Sequence, residues 1–188
     1  MTIISKEGVF ESKEDFIKIM HNELKNIQKS SIHFNIEPIV IVAQSAIESG
    51  WGKHITGNFN YFGIKAKPEW MGDKKLLITH EYFTPVEADL WVKTMPGREI
   101  ISSLGETKYK VETKYKVKDW FKSYTSFNEG VLDRINYIKN KPNYKNALLA
   151  TTPQEYFEEL FKGGYATDPD YVRQNLTILN QILEMKII

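Results

Sequence analysis

The sequence predicts an α+β fold, a mainly helical lobe with a lobe of β hairpins inserted at about residues 70–121. Three observations point to it. Apolar residues recur at helical spacing from Phe16 to Ile47 and again from Phe127 onward. Between those stretches, Leu76 to Phe83 and Ala88 to Lys93 alternate or are rich in β-branched and aromatic residues. The 188 residues are 41% hydrophobic and 13% aromatic, enough for one core, so a single domain over 1–188 is expected.

Taken in order, Ser12 before Lys13-Glu14-Asp15 reads as an N-cap with acids in the first turn. Phe16, Ile17, Met20, Leu24 and Ile27 then form the buried stripe of a first helix. Pro38 suits the first turn of a second, whose apolar run Ile36, Ile39, Val40, Ala43 and Ile47 ends at Glu48. Gly50 can take the left-handed conformation that closes a helix, and Gly52 lets the chain fold away. In the inserted lobe Pro96-Gly97 is a turn. There the segment Glu106-Thr107-Lys108-Tyr109-Lys110-Val111 recurs unchanged from Glu112 to Val117. An extended copy has a lysine face and an aromatic-aliphatic face, which is either a solvated strand guarded by lysines or a cationic strip for an anionic polymer. Phe127, Val131, Leu132, Ile135 and Ile138 mark a helix ending before Lys141-Pro142. Thr152-Pro153-Gln154-Glu155 is a capping box for a helix that stops at Gly163-Gly164. Asp168-Pro169 opens the last helix, with Val172, Leu176, Leu179 and Leu183 expected inward.

Composition narrows the function classes. Lys plus Arg number 25 against 24 for Asp plus Glu, a net charge of +1, so no global field points to nucleic acid or to a membrane surface. No run is long enough to span a bilayer, and a monomer without membrane insertion is expected. Cysteine is absent, which removes disulfides and thiolate metal sites. His54 has no His or Asp at ligand spacing, so neither a metal nor another cofactor is expected.

Chemistry concentrates at Glu48. A lone carboxylate on the last turn of an apolar helix, followed by Ser49-Gly50-Trp51-Gly52, falls at the rim of a cleft, and apolar surroundings raise a carboxyl pKa until a proton is available near neutrality. A Glu at a helix end is more often a solvated surface residue, but its neighbours favour function here. Trp51 offers a flat face that stacks on sugar rings, and Asn58, Asn60 and Tyr61 add amides and a phenol on a turn-rich loop.

Ala46-Ile47-Glu48-Ser49-Gly50-Trp51-Gly52, then Asn60-Tyr61-Phe62-Gly63-Ile64-Lys65, resembles the peptidoglycan-hydrolysing N-acetylglucosaminidase family of flagellar rod-cap hydrolases and cell-wall autolysins. The resemblance resumes at Gly164-Tyr165-Ala166-Thr167-Asp168-Pro169-Asp170-Tyr171 and covers most of the chain from about Ile36. It implies a lysozyme-like fold and cleavage of the β-1,4 bond after N-acetylglucosamine, with peptidoglycan strands as partner. Glycoside hydrolysis generally uses an acid and a second carboxylate. Glu48 is the acid in this reading. The family's Thr-x-Glu-Tyr segment is matched by Thr79-His80-Glu81-Tyr82 after Trp70-Met71-Gly72, which makes Glu81 the second carboxylate and adds Tyr82 to Trp51, Asn60 and Tyr61 as sugar contacts. Tyr165 matches the tyrosine the family places beside the acid, while Asp168 and Tyr171 look structural.

The chain departs from the family in spending Phe83 to Trp120 before Phe121-Lys122-Ser123-Tyr124, where a short hairpin is usual. That insertion could form a lid, extra subsites or a wall-binding surface. A muramidase or lytic transglycosylase is the enzymatic rival, although its Gly-Leu-Met-Gln segment is missing. A non-catalytic wall-binding module of a phage tail or secretion apparatus is the other. Action in the periplasm or on the extracellular wall is implied. The N-terminal MTIISKEGVFESKEDF has no signal-peptide pattern, so export by a holin, a dedicated secretion system or a trimmed signal is expected.

Overall fold

The computed structural model describes residues 5–30, 36–106, 112–166 and 168–188. The helical lobe is built around α2 (Pro38–Ser49), which buries Val40, Ile41, Val42, Ala43, Gln44, Ser45 and Ala46 and so shows almost no solvent face. A helix this uniformly apolar needs neighbours on every side. It packs against α1 (Lys13–Ser30) and α6 (Tyr171–Glu184). In α1, Ser12 Oγ accepts the Asp15 amide at 3.0 Å, and the expected stripe Phe16, Ile17, Met20, Leu24 and Ile27 is buried. Each such side chain contributes about 1.5–3 kcal/mol relative to exposure. Gly50, at φ 55° and ψ 49°, closes α2 with its amide directed to Ala46 and Ile47 carbonyls.

Two helices complete this lobe. Ser126 caps α4 (Phe127–Lys139), whose buried face runs Phe127, Val131, Arg134, Ile135 and Ile138. Thr152 caps α5 (Pro153–Lys162) by accepting the Glu155 amide, while the Glu155 carboxylate takes the Thr151 amide rather than completing the reciprocal box. The inward stripe expected for α6 is displaced. Tyr171, Asn175, Leu179 and Ile182 are buried, whereas Leu183 is half exposed. The reason is polar: Tyr171 turns its hydroxyl inward to accept a 2.8 Å hydrogen bond from Gln44 Nε2, which sets the rotation of the helix. Asp168 accepts the Asp170 amide and Gln174 Nε2 at the entry to α6, the structural part expected of it.

The inserted lobe is a three-stranded antiparallel sheet in the order β1-β3-β2, formed by β1 (Lys74–Phe83), β2 (Glu99–Glu106) and β3 (Thr113–Lys122). Most of the first copy of the repeat, residues 107–111, lies outside the described residues, as does Thr167; the second copy forms the start of β3. Ala88 to Lys93 is not a strand. It belongs to α3 (Pro85–Lys93), because Thr84 and Glu87 form a full capping box with Pro85 in the first turn. This helix buries Ala88, and the sheet lobe also buries Met95 and Val117. Residues 64–66 join the sheet through a bridge between Lys65 and Phe121, which ties the loop after α2 to β3.

Candidate active site

A cleft of about 790 Å³ is bordered by Glu48, the 62–65 turn, Lys67, Glu69 and Trp70. Lys122 of β3, the α4 residues Asp133, Arg134, Asn136 and Tyr137, Asn140 and Lys141 just beyond that helix, and Tyr165 after α5 complete it. Glu48 reaches it because Gly50 ends α2 just after it. The side chain stays open to solvent on the cleft side while protein surrounds it on the others. That burial pushes its carboxyl above the ordinary 4.5, against a smaller opposing pull from the Arg134 guanidinium.

The floor behind Glu48 is polar and closely tied. Gln44 stands one turn earlier on α2, and its Oε1 accepts a 2.9 Å hydrogen bond from Arg134. The guanidinium, on a residue buried except for 2% of its surface, lies 4.8 Å above the Tyr165 ring and 5.4 Å from the Phe62 ring. Tyr165 follows the positive-φ Gly164, and its amide closes α5 on the Leu160 carbonyl at 2.9 Å. Burial, moderated by Arg134, pushes the Tyr165 phenol well up, so it stays a hydrogen-bond donor at any working pH. Elsewhere along the cleft Asp133 accepts from Tyr124 at 2.7 Å and from Lys122 at 3.0 Å, and the Lys122 ammonium lies 4.1 Å from the Trp70 ring.

The structure therefore brings together Glu48 and Tyr165. Glu81 sits next to the cleft rather than among the residues that border it. It lies on β1 opposite Tyr115, its side chain 19% exposed, and it is ion-paired with Lys65, which does border the cleft. The expected sugar contacts are placed elsewhere. Asn60 is buried, with its amide donating to Ile64 and Lys122 carbonyls and accepting the Ile64 amide. Tyr61 is fully buried and donates to the Gly8 carbonyl at 2.7 Å. Both shape the turn from behind. Trp51 packs edge-on against Phe16 under the Lys13 ammonium, and Tyr82 projects from the opposite face of β1 to Glu81. In their place the cleft presents Trp70 and Tyr137, together with Arg134 and Asp133. In the sequence Trp70 serves only to mark the distance to Glu81, and nothing local places it at the cleft. Arg134 has a signal: it falls at helical spacing on the apolar stripe of α4 between Val131 and Ile138.

A family profile described as glucosaminidase, mannosyl-glycoprotein endo-beta-N-acetylglucosaminidase, matches residues 24–184. The peptidoglycan hydrolase FlgJ of Pseudomonas aeruginosa is 29% identical over 183 residues, covering 94% of this chain and 38% of the relative. The peptidoglycan hydrolase FlgJ of Vibrio cholerae is 30% identical over 185 residues, covering 95% of this chain and 46% of the relative. The chain thus spans less than half the length of these curated relatives. The structure of a C-terminally truncated glycoside hydrolase domain from Salmonella typhimurium FlgJ superposes with a TM-score of 0.64 at 25% identity, covering 93% of this chain and 100% of that one.

Proposed function

The chain belongs to the glucosaminidase family of glycoside hydrolases, and from that premise we propose that it hydrolyses bacterial peptidoglycan at the β-1,4 bond after N-acetylglucosamine. The observation that carries the reading is Glu48: a carboxyl raised by burial, open to a cleft of sugar-binding size, on the turn that closes the central helix. A carboxyl raised in this way keeps its proton to higher pH than a solvated glutamate and can give it to the glycosidic oxygen as the bond breaks. Glu81 acts as the second carboxylate, facing the oxocarbenium-like centre or the water that attacks it. The Tyr165 phenol donates to the acetamido group or orients the attacking oxygen beside Glu48. Trp70 and Tyr137 give the sugar rings apolar faces.

The whole of 1–188 acts in this reading as one catalytic domain and as a monomer, working where its polymer lies, in the periplasm or on the outer wall. Among the described residues no helix is long and apolar enough to cross a membrane. The test is digestion of purified peptidoglycan by the wild type, Glu48→Gln and Glu81→Gln, with product ends reduced by borohydride and identified by mass spectrometry. Reduced N-acetylglucosamine ends, abolished by Glu48→Gln and greatly diminished by Glu81→Gln, are expected. Reduced muramic acid ends would make the protein a muramidase, anhydro ends a transglycosylase, and no products at all a wall-binding module.

A further inference from the structure

The inserted segment between β1 and β2 carries Arg98, and Arg98 begins a line of alternating charge that ends at Glu81. Its Nε donates to Asp119 Oδ1 at 2.8 Å, and both side chains are nearly or fully buried. The other carboxylate oxygen of Asp119 lies 3.7 Å from Lys65 Nζ and has no hydrogen-bond partner among the described residues. Lys65 Nζ in turn pairs with Glu81 Oε1. Arg98 is itself fixed by the insertion: its guanidinium stacks 4.7 Å from the Trp91 ring of α3 and donates to Thr94 Oγ1. Asp119 also accepts the Trp120 amide at 2.8 Å, so its position on β3 is set.

We propose that Arg98 is a positioning residue for Glu81, acting through Asp119 and Lys65, and that this is what the insertion contributes to the reaction. The physical reason is competition for one ammonium. Asp119 is a buried carboxylate that must be compensated. While Arg98 neutralises it, Lys65 stays 3.7 Å away and is free to hold Glu81. Without Arg98, Asp119 draws Lys65 the short distance into full contact, and Glu81 loses the partner that fixes its carboxylate at the edge of the cleft. Misplacing a reacting group by about 1 Å can cost on the order of 100-fold in rate.

This inference rests on Glu81 being the second carboxylate, so Glu81→Gln is assayed in parallel on soluble glycan fragments. Arg98→Met should lower kcat roughly 10-fold or more with KM little changed, since Arg98 does not border the cleft. Arg98→Lys should recover most of that loss. The deciding variant is Arg98→Met with Asp119→Asn, which removes the competitor along with its compensator. It leaves no charge buried without a partner and so should fold even if the single variant does not, as thermal melting would show. Its kcat should return to within a few-fold of wild type. If the double variant is no more active than Arg98→Met, or if Arg98→Met has wild-type kcat, the coupling is wrong. If Glu81→Gln keeps wild-type activity, the assignment of Glu81 fails instead.

Discussion

Burial lifts the Glu48 carboxyl above 4.5 in the folded chain and not in the unfolded one, so the folded form keeps a proton that the unfolded form releases as pH rises past 4.5. Stability from this residue therefore falls with rising pH through that window and stays lower above it. Glu48→Gln cannot ionise. It should melt at a higher temperature than wild type near neutrality, and the gap should close below 4.5, where both states of the wild type hold the proton. A gap that stays constant across pH would show that Glu48 ionisation carries no such cost. The same substitution should lower kcat by about 10²–10⁴-fold. Trp70→Ala tests the sugar platform: an aromatic contact is worth about 0.5–1.5 kcal/mol, so KM should rise a few-fold to about tenfold with kcat nearly unchanged. Glu48 is legible in the sequence because an apolar helix gains nothing in packing from a lone acid on its last turn. Tyr61 is not, because composition places a tyrosine on a turn but does not say which way it faces. Its hydroxyl finds the carbonyl of Gly8, 53 residues earlier in the chain.

The elements follow a similar division. The spacing of Phe16 to Ile27 and of Phe127 to Ile138 is enough to place α1 and α4, since burial follows helical period directly. In α3 the run of Leu, Trp and Val favours a strand by composition, although Thr84-Pro85-Val86-Glu87 carries the same capping signal that locates α5. Local start signals decide a helix of nine residues better than its composition does. Gly130 shows how closely α4 is seated. A Cβ added there would run into the backbone carbonyl of Phe59 and press on the Tyr124 ring. Alanine is the better helix former by about 1 kcal/mol. Overpacking against a backbone atom costs about 1–3 kcal/mol, and here nothing flexible can move aside. Gly130→Ala should therefore lower the denaturant midpoint despite the gain in propensity. A midpoint equal to or above wild type would mean that α4 can shift without loss.

Over the whole molecule, charge is almost balanced, at +1 for 188 residues, yet the cleft gathers Lys65, Lys67, Lys122, Arg134 and Lys141 against Glu48, Glu69 and Asp133. Three of those cations are already committed: Lys65 to Glu81, Lys122 to Asp133, and Arg134 to Gln44 and the floor. Lys67 is exposed at the rim, and Lys141 lies 4.8 Å from the Tyr137 ring, so both present charge to whatever enters. An excess of one sign in a concave wall concentrates an oppositely charged substrate, and salt weakens the effect as the screening length falls from about 10 Å at 0.1 M to about 3 Å at 1 M. Intact peptidoglycan carries acidic stem peptides, whereas a short chitin oligomer has the same β-1,4-linked N-acetylglucosamine without them. Raising salt across that range should increase KM on intact peptidoglycan several-fold and leave the neutral oligomer almost unaffected. The paired variant Lys67→Gln with Lys141→Gln should flatten the salt dependence while leaving turnover of the oligomer near wild type. If both substrates lose rate in parallel as salt rises, the effect lies in the fold or the chemistry rather than in the field of the cleft.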